Sequence, residues 1–293
     1  MFESFRSTVV ETGAAEIFVR HAGEGPPVYL LHGHPRTSAT WHRVAPRLLT
    51  AGFGVVCPDL RGYGRSRGPA PDDDHAPHSK RAVASDVREV ARRLGHERIL
   101  LAGHDRGSYV AMRLALDHPE LVVRLAVLDS IPLSEHLARV DARFATAWWH
   151  WFFFAQPGIP ERVITADPEA WYAPKADAAT MGEANHAELM AAVRDPETVR
   201  AMLEDYRAGL TIDQRHELAD RAAGRRLRMP LLALWSAEDD LEELHGDLRQ
   251  IWRRWADDVR GRRIHSGHHM AEEAPAEVAD ALAEFFAPSA RAR

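Results

Sequence analysis

Cysteine is nearly absent from this chain. Cys57 stands alone among 293 residues, so no internal disulfide can form and burial has to hold the fold. A reducing cytoplasm is the expected compartment. Lysine is almost missing too: Lys80 and Lys175 are the only two among 37 basic residues, and the rest are arginine. With alanine abundant, that bias reads as compositional background, so each arginine is judged by its context. No apolar run reaches the ~18 residues of a bilayer-spanning helix. Met1-Phe2-Glu3-Ser4 opens no secretory h-region, so neither a leader nor a membrane partner is expected. Surplus positive charge is also lacking. The net charge of −6 argues against a nucleic-acid or anionic-membrane partner. There is no internal repeat and no long low-complexity linker. Collagen, disulfide scaffolds and wholesale disorder are excluded.

What remains is an ordinary globular composition, 45% hydrophobic and 27% charged, in a chain long enough for two domains or one large α/β domain with an insertion. Short apolar runs alternate with helical periods in the first half. Val28 to Leu31, Phe53 to Cys57, Ile99 to Ala102 and Leu125 to Leu128 read as strands. Ser79 reads as the N-cap of a helix to Leu94, with Val83, Val87, Val90 and Leu94 on one face and Gly95 as its stop. A second helix is expected from about Ser108 to Asp117. Such alternation predicts right-handed crossovers and a mainly parallel sheet. From Leu133 the pattern breaks into helices, with Trp148, Trp149, Trp151 and Phe152 to Phe154 crowded together. Strands resume at Leu231 to Trp235 and Val259 to Ile264, and a helix from about Ala276 to Phe286 closes the chain. The expected organisation is an α/β core in two segments, 1–132 and 226–293, interrupted by a helical cap at 133–225. Pro71 to His75 reads as a solvated loop.

The chemistry centres on Gly103-His104-Asp105-Arg106-Gly107, between a strand and a helix. It matches the glycine–x–nucleophile–x–glycine elbow, with aspartate where serine is usual. A carboxylate with a reference pKa of about 3.9 is already an anion at neutral pH. It can displace a leaving group from saturated carbon and form an alkyl ester, which a base then hydrolyses with water. That suits carbon–halogen cleavage and epoxide opening better than ordinary ester hydrolysis. His268, after the last strand, stands where the base is expected, with His269 as the bland alternative. Two carboxyls at strand ends, Asp129 and Asp239, compete to orient it. The N–H of Arg106 and that of His34 are the expected oxyanion donors. His265, His268 and His269 fall where the base belongs and do not read as a metal site. No metal or cofactor is expected.

These residues resemble the α/β-hydrolases over nearly the whole chain, and more narrowly the fluoroacetate (haloacetate) dehalogenases. Leu31-His32-Gly33-His34-Pro35 and Asp59-Leu60-Arg61-Gly62-Tyr63-Gly64-Arg65-Ser66 are shared with epoxide hydrolases. His104-Asp105-Arg106-Gly107 and Asp117-His118-Pro119 carry the resemblance further. Val127-Leu128-Asp129-Ser130-Ile131-Pro132, Trp149-His150-Trp151-Phe152-Phe153 and Asp205-Tyr206-Arg207-Ala208-Gly209 are more specific to the dehalogenases. The resemblance implies Asp105 as nucleophile, His268 as base and Asp129 as its acid. It implies His150, Trp151 and Tyr206 as halide ligands, which offer an imidazole, an indole N–H and a phenol to a small hard anion. Arg106 would clamp a substrate carboxylate. A homodimer acting on a small 2-halo acid is implied as well.

Two positions depart from that pattern. The family has a second carboxylate-binding arginine three residues after Arg106, and here that position is Tyr109. This widens the substrate to a larger halo-acid, an amide or ester analogue, or an uncharged epoxide. Asp239, in Trp235-Ser236-Ala237-Glu238-Asp239-Asp240, holds the place where epoxide hydrolases and haloalkane dehalogenases carry their acid. Epoxide hydrolysis by the same Asp105 and His268 is therefore the alternative, with Tyr206 and Tyr172 as proton donors. A non-catalytic binding protein on this scaffold is a third reading, opposed by the complete Asp105, His268 and acid set.

Overall fold

The structure is a computed structural model that describes Met1–Ala287, with Lys175 described by its backbone alone. The last six positions of the expected second core segment lie outside the described residues. Eight strands form one sheet: β1 (Arg6–Glu11), β2 (Glu16–Ala22), β3 (Pro27–Leu31), β4 (Gly54–Pro58), β5 (Ile99–His104), β6 (Val122–Leu128), β7 (Leu231–Ser236) and β8 (Val259–Ile264). Their spatial order is β1-β2-β4-β3-β5-β6-β7-β8, parallel from β4 to β8 and antiparallel at the β1 and β2 end.

The central strands are continuous apolar runs because both faces of the sheet are covered. Alternate residues enter two separate cores. Val28 and Leu30 of β3, Leu100 and Ala102 of β5, and Ala126 and Leu128 of β6 pack on one face. Tyr29, Leu31, Leu101, Leu125 and Val127 pack on the other. Helices α1 (Ala45–Thr50), α2 (Lys80–Arg93) and α3 (Arg106–Asp117) belong to the first half of the core. The Ser79 hydroxyl accepts the Ala82 N–H and caps α2 as its sequence requires.

Between β6 and β7 the described chain forms helices and no strand. These are α4 (Leu133–Leu137), α5 (Ala142–Ala147), α6 (Trp149–Phe154), α7 (Ile159–Ala166), α8 (Pro168–Tyr172), α9 (Ala178–Met181), α10 (Glu183–Val193), α11 (Pro196–Ala208) and α12 (Gln214–Ala222). A π-turn at Gly209–Asp213 joins the last two. This is the inserted helical cap. Four helices follow in the core: α13 (Leu241–His245), α14 (Leu248–Arg253), α15 (Met270–Glu273) and α16 (Pro275–Phe286). No described helix is long and apolar enough to cross a membrane.

The β1–β2 hairpin is absent from the sequence reading above. β1 is an edge strand with four of its six residues exposed, so it carries little apolar alternation to read. Pro71 to His75 is largely exposed as expected, yet His75 Nδ1 lies 2.7 Å from Glu204 Oε2 and ties that loop to α11.

The elbow depends on two close backbone approaches. A Cβ on Gly103 would collide with the Gly107 carbonyl, and one on Gly107 would collide with the carbonyls of Leu31 and His32. Both obstacles are backbone and cannot swing aside. Gly107→Ala is therefore expected to lower the unfolding free energy by about 1–3 kcal/mol. Urea denaturation checks this, and a fully stable variant would show that the elbow can relax.

Candidate active site

Asp105 sits at the junction of β5 and α3 with φ 49° and ψ −120°. Non-glycine residues seldom adopt positive φ, and holding one there costs roughly 1–3 kcal/mol that the surrounding contacts must offset. The turn puts the carboxyl at the end of the sheet, under the cap. Its Oδ1 accepts the His34 N–H at 2.8 Å, and the Arg106 N–H also donates to the carboxyl. Its Oδ2 lies 3.9 Å from His268 Nε2. Burial would raise the Asp105 carboxyl, but the charges of His268 and Arg106 and the Arg106 N–H outweigh it. The carboxyl is held below the ordinary aspartate range and is ionised at neutral pH.

His268 lies in the turn after β8. Its backbone carbonyl accepts from His104 Nε2 at 2.7 Å, so the elbow itself holds the loop that carries it. Burial keeps the His104 ring neutral, with its pKa lowered to about 3. His268 Nδ1 faces two acids. Asp129 Oδ2 is 2.7 Å away and Asp239 Oδ2 is 3.3 Å away. Both candidates from the sequence thus reach the same ring nitrogen, because β6 and β7 are adjacent and parallel and each acid follows the end of its strand.

The two acids are not equivalent. The Asp129 side chain is 1% exposed and its Oδ1 also accepts the Ser236 N–H at 2.9 Å, whereas Asp239 is 30% exposed. Burial raises the Asp129 carboxyl, against the pull of His268. Burial acts on Asp239 in the same sense, but His268 wins there and holds it down to about 2. Burial also disfavours a charged His268, yet its bonds to Asp129 and Asp239 prevail and set the imidazole well above the usual histidine range.

The cavity over Asp105 and His268 measures about 570 Å³. His150 and Trp151 of α6 and Tyr206 of α11 all line it, each of the two α6 rings lying 6.1 Å from that of Tyr206. His34 and Tyr172 stand in the same wall, with rings 5.8 Å apart. Arg106 and Tyr109 do not line it. Arg106 is 2% exposed and stacks on the Tyr206 ring, 3.8 Å from its centre. Its Nε donates to the Asp205 carboxylate and its Nη2 to the Asp205 carbonyl at 2.7 Å. The carboxylate clamp expected at Arg106 is therefore occupied by an internal acid. Tyr109 packs edge-on against Trp151 and His136 and lines a small void beside Lys80 and Asp213 instead. The sequence reading missed Asp205 as the partner of Arg106, although it lies in a quoted motif. The usable signal was an acid directly before Tyr206 on a helix with little exposed surface.

The geometry ranks the two acids. Asp129→Asn is expected to slow turnover about 100-fold or more, while Asp239→Asn costs less than about tenfold, because the shorter and more buried bond fixes the imidazole. Steady-state kinetics of both variants check this, and a reversed order would transfer the orienting role to Asp239.

Comparison with known proteins agrees with this architecture. The profile of the alpha/beta hydrolase fold matches residues 26–275. A fluoroacetate dehalogenase from Burkholderia sp. is 40% identical over 98% of this chain and 95% of its own. A soluble epoxide hydrolase from Corynebacterium sp. (strain C12) is 34% identical over 91% and 92% respectively. A crystal structure from Nostoc sp. PCC 7120, of a protein assigned to the α/β hydrolases, superposes with a TM-score of 0.94 at 41% identity, covering 98% of this chain and 99% of that one. By the family match and these relatives, the chain belongs to the α/β-hydrolase fold family and is a hydrolase.

Proposed function

We propose that this enzyme hydrolyses a carbon–halogen bond in a small 2-halo acid or its acyl derivative, through an ester on Asp105 and without a cofactor. One observation carries the reading. The two oxygens of Asp105 are differentiated: Oδ1 accepts the backbone N–H of His34 while Oδ2 faces His268. Oδ2 attacks the halogenated carbon, the new C–O bond forms as the C–X bond breaks, and the halide leaves with the bonding pair. His150, Trp151 and Tyr206 would receive it.

Water then attacks the Asp105 carboxyl carbon and gives its proton to His268 Nε2. The oxyanion develops on Oδ1, which already accepts the His34 N–H, and the Arg106 N–H that donates to this carboxyl would be the second donor. Collapse expels the alcohol with that proton and restores Asp105. The balance is R–X plus water giving R–OH, a proton and halide. Esterification also removes a negative charge 3.9 Å from His268. The imidazole pKa must fall at that moment, which frees His268 to act as a base in the step that needs one.

Epoxide opening is the second reading, favoured by Tyr172 and Tyr206 in one wall of the cavity. Both phenols are held well above the usual tyrosine range, chiefly by burial, and so remain protonated donors. Halide release from 2-halo acids and their amides supports dehalogenation. Diol formation from styrene oxide with no halide released from any of these would replace it with epoxide hydrolysis.

Two tests address the steps. His268→Asn should stop turnover and leave an alkyl adduct visible in the intact mass, and normal turnover would remove His268 as base. In the unchanged enzyme, alkylation needs ionised Asp105, whose pKa lies below its ordinary value. Ester hydrolysis needs neutral His268, whose pKa starts above its ordinary value. Lowering the pH below neutrality should therefore raise the steady-state fraction of alkyl-enzyme, as read by acid-quench mass spectrometry. A fraction that falls as pH is lowered would contradict the order of steps.

A further inference from the structure

The cavity offers an anionic substrate very little. Asp105, Asp239, Asp240 and Glu273 line it, and no arginine or lysine side chain does so among the described residues. Two of its histidines carry no charge at neutral pH. Burial lowers His34 to about 3 and holds His269 well below the usual range. His268 is cationic, but it faces Asp129, Asp239 and Asp105 together.

Arg106, the guanidinium nearest to the reacting carboxyl along the chain, is neutralised from behind. Asp205 takes its Nε and also takes Lys80 Nζ and, at 3.1 Å, the Tyr63 hydroxyl. Lys80 has a second acid, Asp213, at 3.7 Å. Two cations thus face two carboxylates in one buried cluster, with no positive charge left over. Most of the remaining wall is aromatic, with Trp148, Trp151, Phe154 and Trp171 beside His150.

A carboxylate placed here would give up its hydration beside Asp105 and gain no arginine or lysine in exchange, which is the costly form of charge burial. We propose that the site takes uncharged α-halo carbonyl compounds, amides or esters, in preference to α-halo carboxylate anions. This rests on the dehalogenase reading and narrows its substrate. A neutral carbonyl still activates the adjacent C–X bond towards displacement, so the steps and their balance are unchanged: Asp105 Oδ2 bonds to carbon, halide leaves, and water returns Asp105 and the α-hydroxy amide or ester.

The test is halide release by the unmodified enzyme from 2-chloropropionamide, methyl 2-chloropropionate and 2-chloropropionate at pH 7.5. Each rate is corrected for the reaction of the same compound with acetate in water. The expected kcat/KM for the amide exceeds that for the acid anion by about 100-fold or more, since the anion meets four lining carboxyls and no arginine or lysine. An anion used as well as or better than the amide overturns the proposal while leaving dehalogenation intact. No halide from any of the three, and no alkyl adduct in His268→Asn, overturns the dehalogenase reading and this proposal with it. Asp205→Asn uncovers Arg106 and should raise the acid-to-amide ratio at least about tenfold in a variant that keeps its circular dichroism. An unchanged ratio in a folded variant counts against the proposal, and should that variant not fold, the three-substrate comparison decides alone.

Discussion

The contact between Arg106 and Asp205 joins the two parts of the molecule at the point where the chemistry would occur. Arg106 is the first residue of α3 and follows the elbow aspartate directly, while Asp205 belongs to a cap helix. Buried ion pairs need further hydrogen bonds to offset their desolvation. This one has them in Lys80, Tyr63 and the Asp205 carbonyl. The Tyr206 ring, next to Asp205 in the chain, is placed over the guanidinium as a consequence. Cap and core are therefore in register through a charge cluster as well as through apolar contact, and the position of Tyr206 in the cavity wall follows from it.

The same arrangement divides labour between the backbone and the side chains. The His34 N–H holds one carboxyl oxygen of Asp105 in place, and the side chain leaves a backbone of positive φ at the end of the sheet. The mobile charge is left to the opposite oxygen and to His268. Because the imidazole interacts with three carboxyls, its proton affinity tracks whether Asp105 is charged. Electrostatic coupling over a few ångströms at partly buried sites is strong enough to time such a proton transfer.

Much of this was legible in the chain. The parallel strands were visible because both of their faces are buried, so they carry no polar alternation to obscure them. Ser79 and Gly95 bounded α2 by ordinary cap chemistry. Asp105 stood out because a tight turn between strand and helix tolerates few residues, and His268 by its place after the last strand. The antiparallel β1–β2 pair was not visible, since an exposed edge strand resembles a loop in composition. The choice between Asp129 and Asp239 was not visible either, because it depends on tenths of an ångström between side chains brought together by strand adjacency. Nor could the sequence show that Arg106 spends its charge internally. Its partner lies 99 positions away, and only the packing of cap on core brings the two together.

The cap leaves the core after β6 and returns at β7, and these two strands lie side by side. The Ser236 N–H donates to Asp129 across 107 positions of chain. Bringing the ends of so long a loop together carries an entropic cost that local contacts do not repay, which slows the formation of such pairings. The elbow is built from shorter-range neighbours, β3, β5 and α3. On the proposed mechanism, a chain that has formed its elbow but not yet closed the excursion would possess a nucleophile and no organised base. Such a species could be alkylated once and would then be unable to free itself.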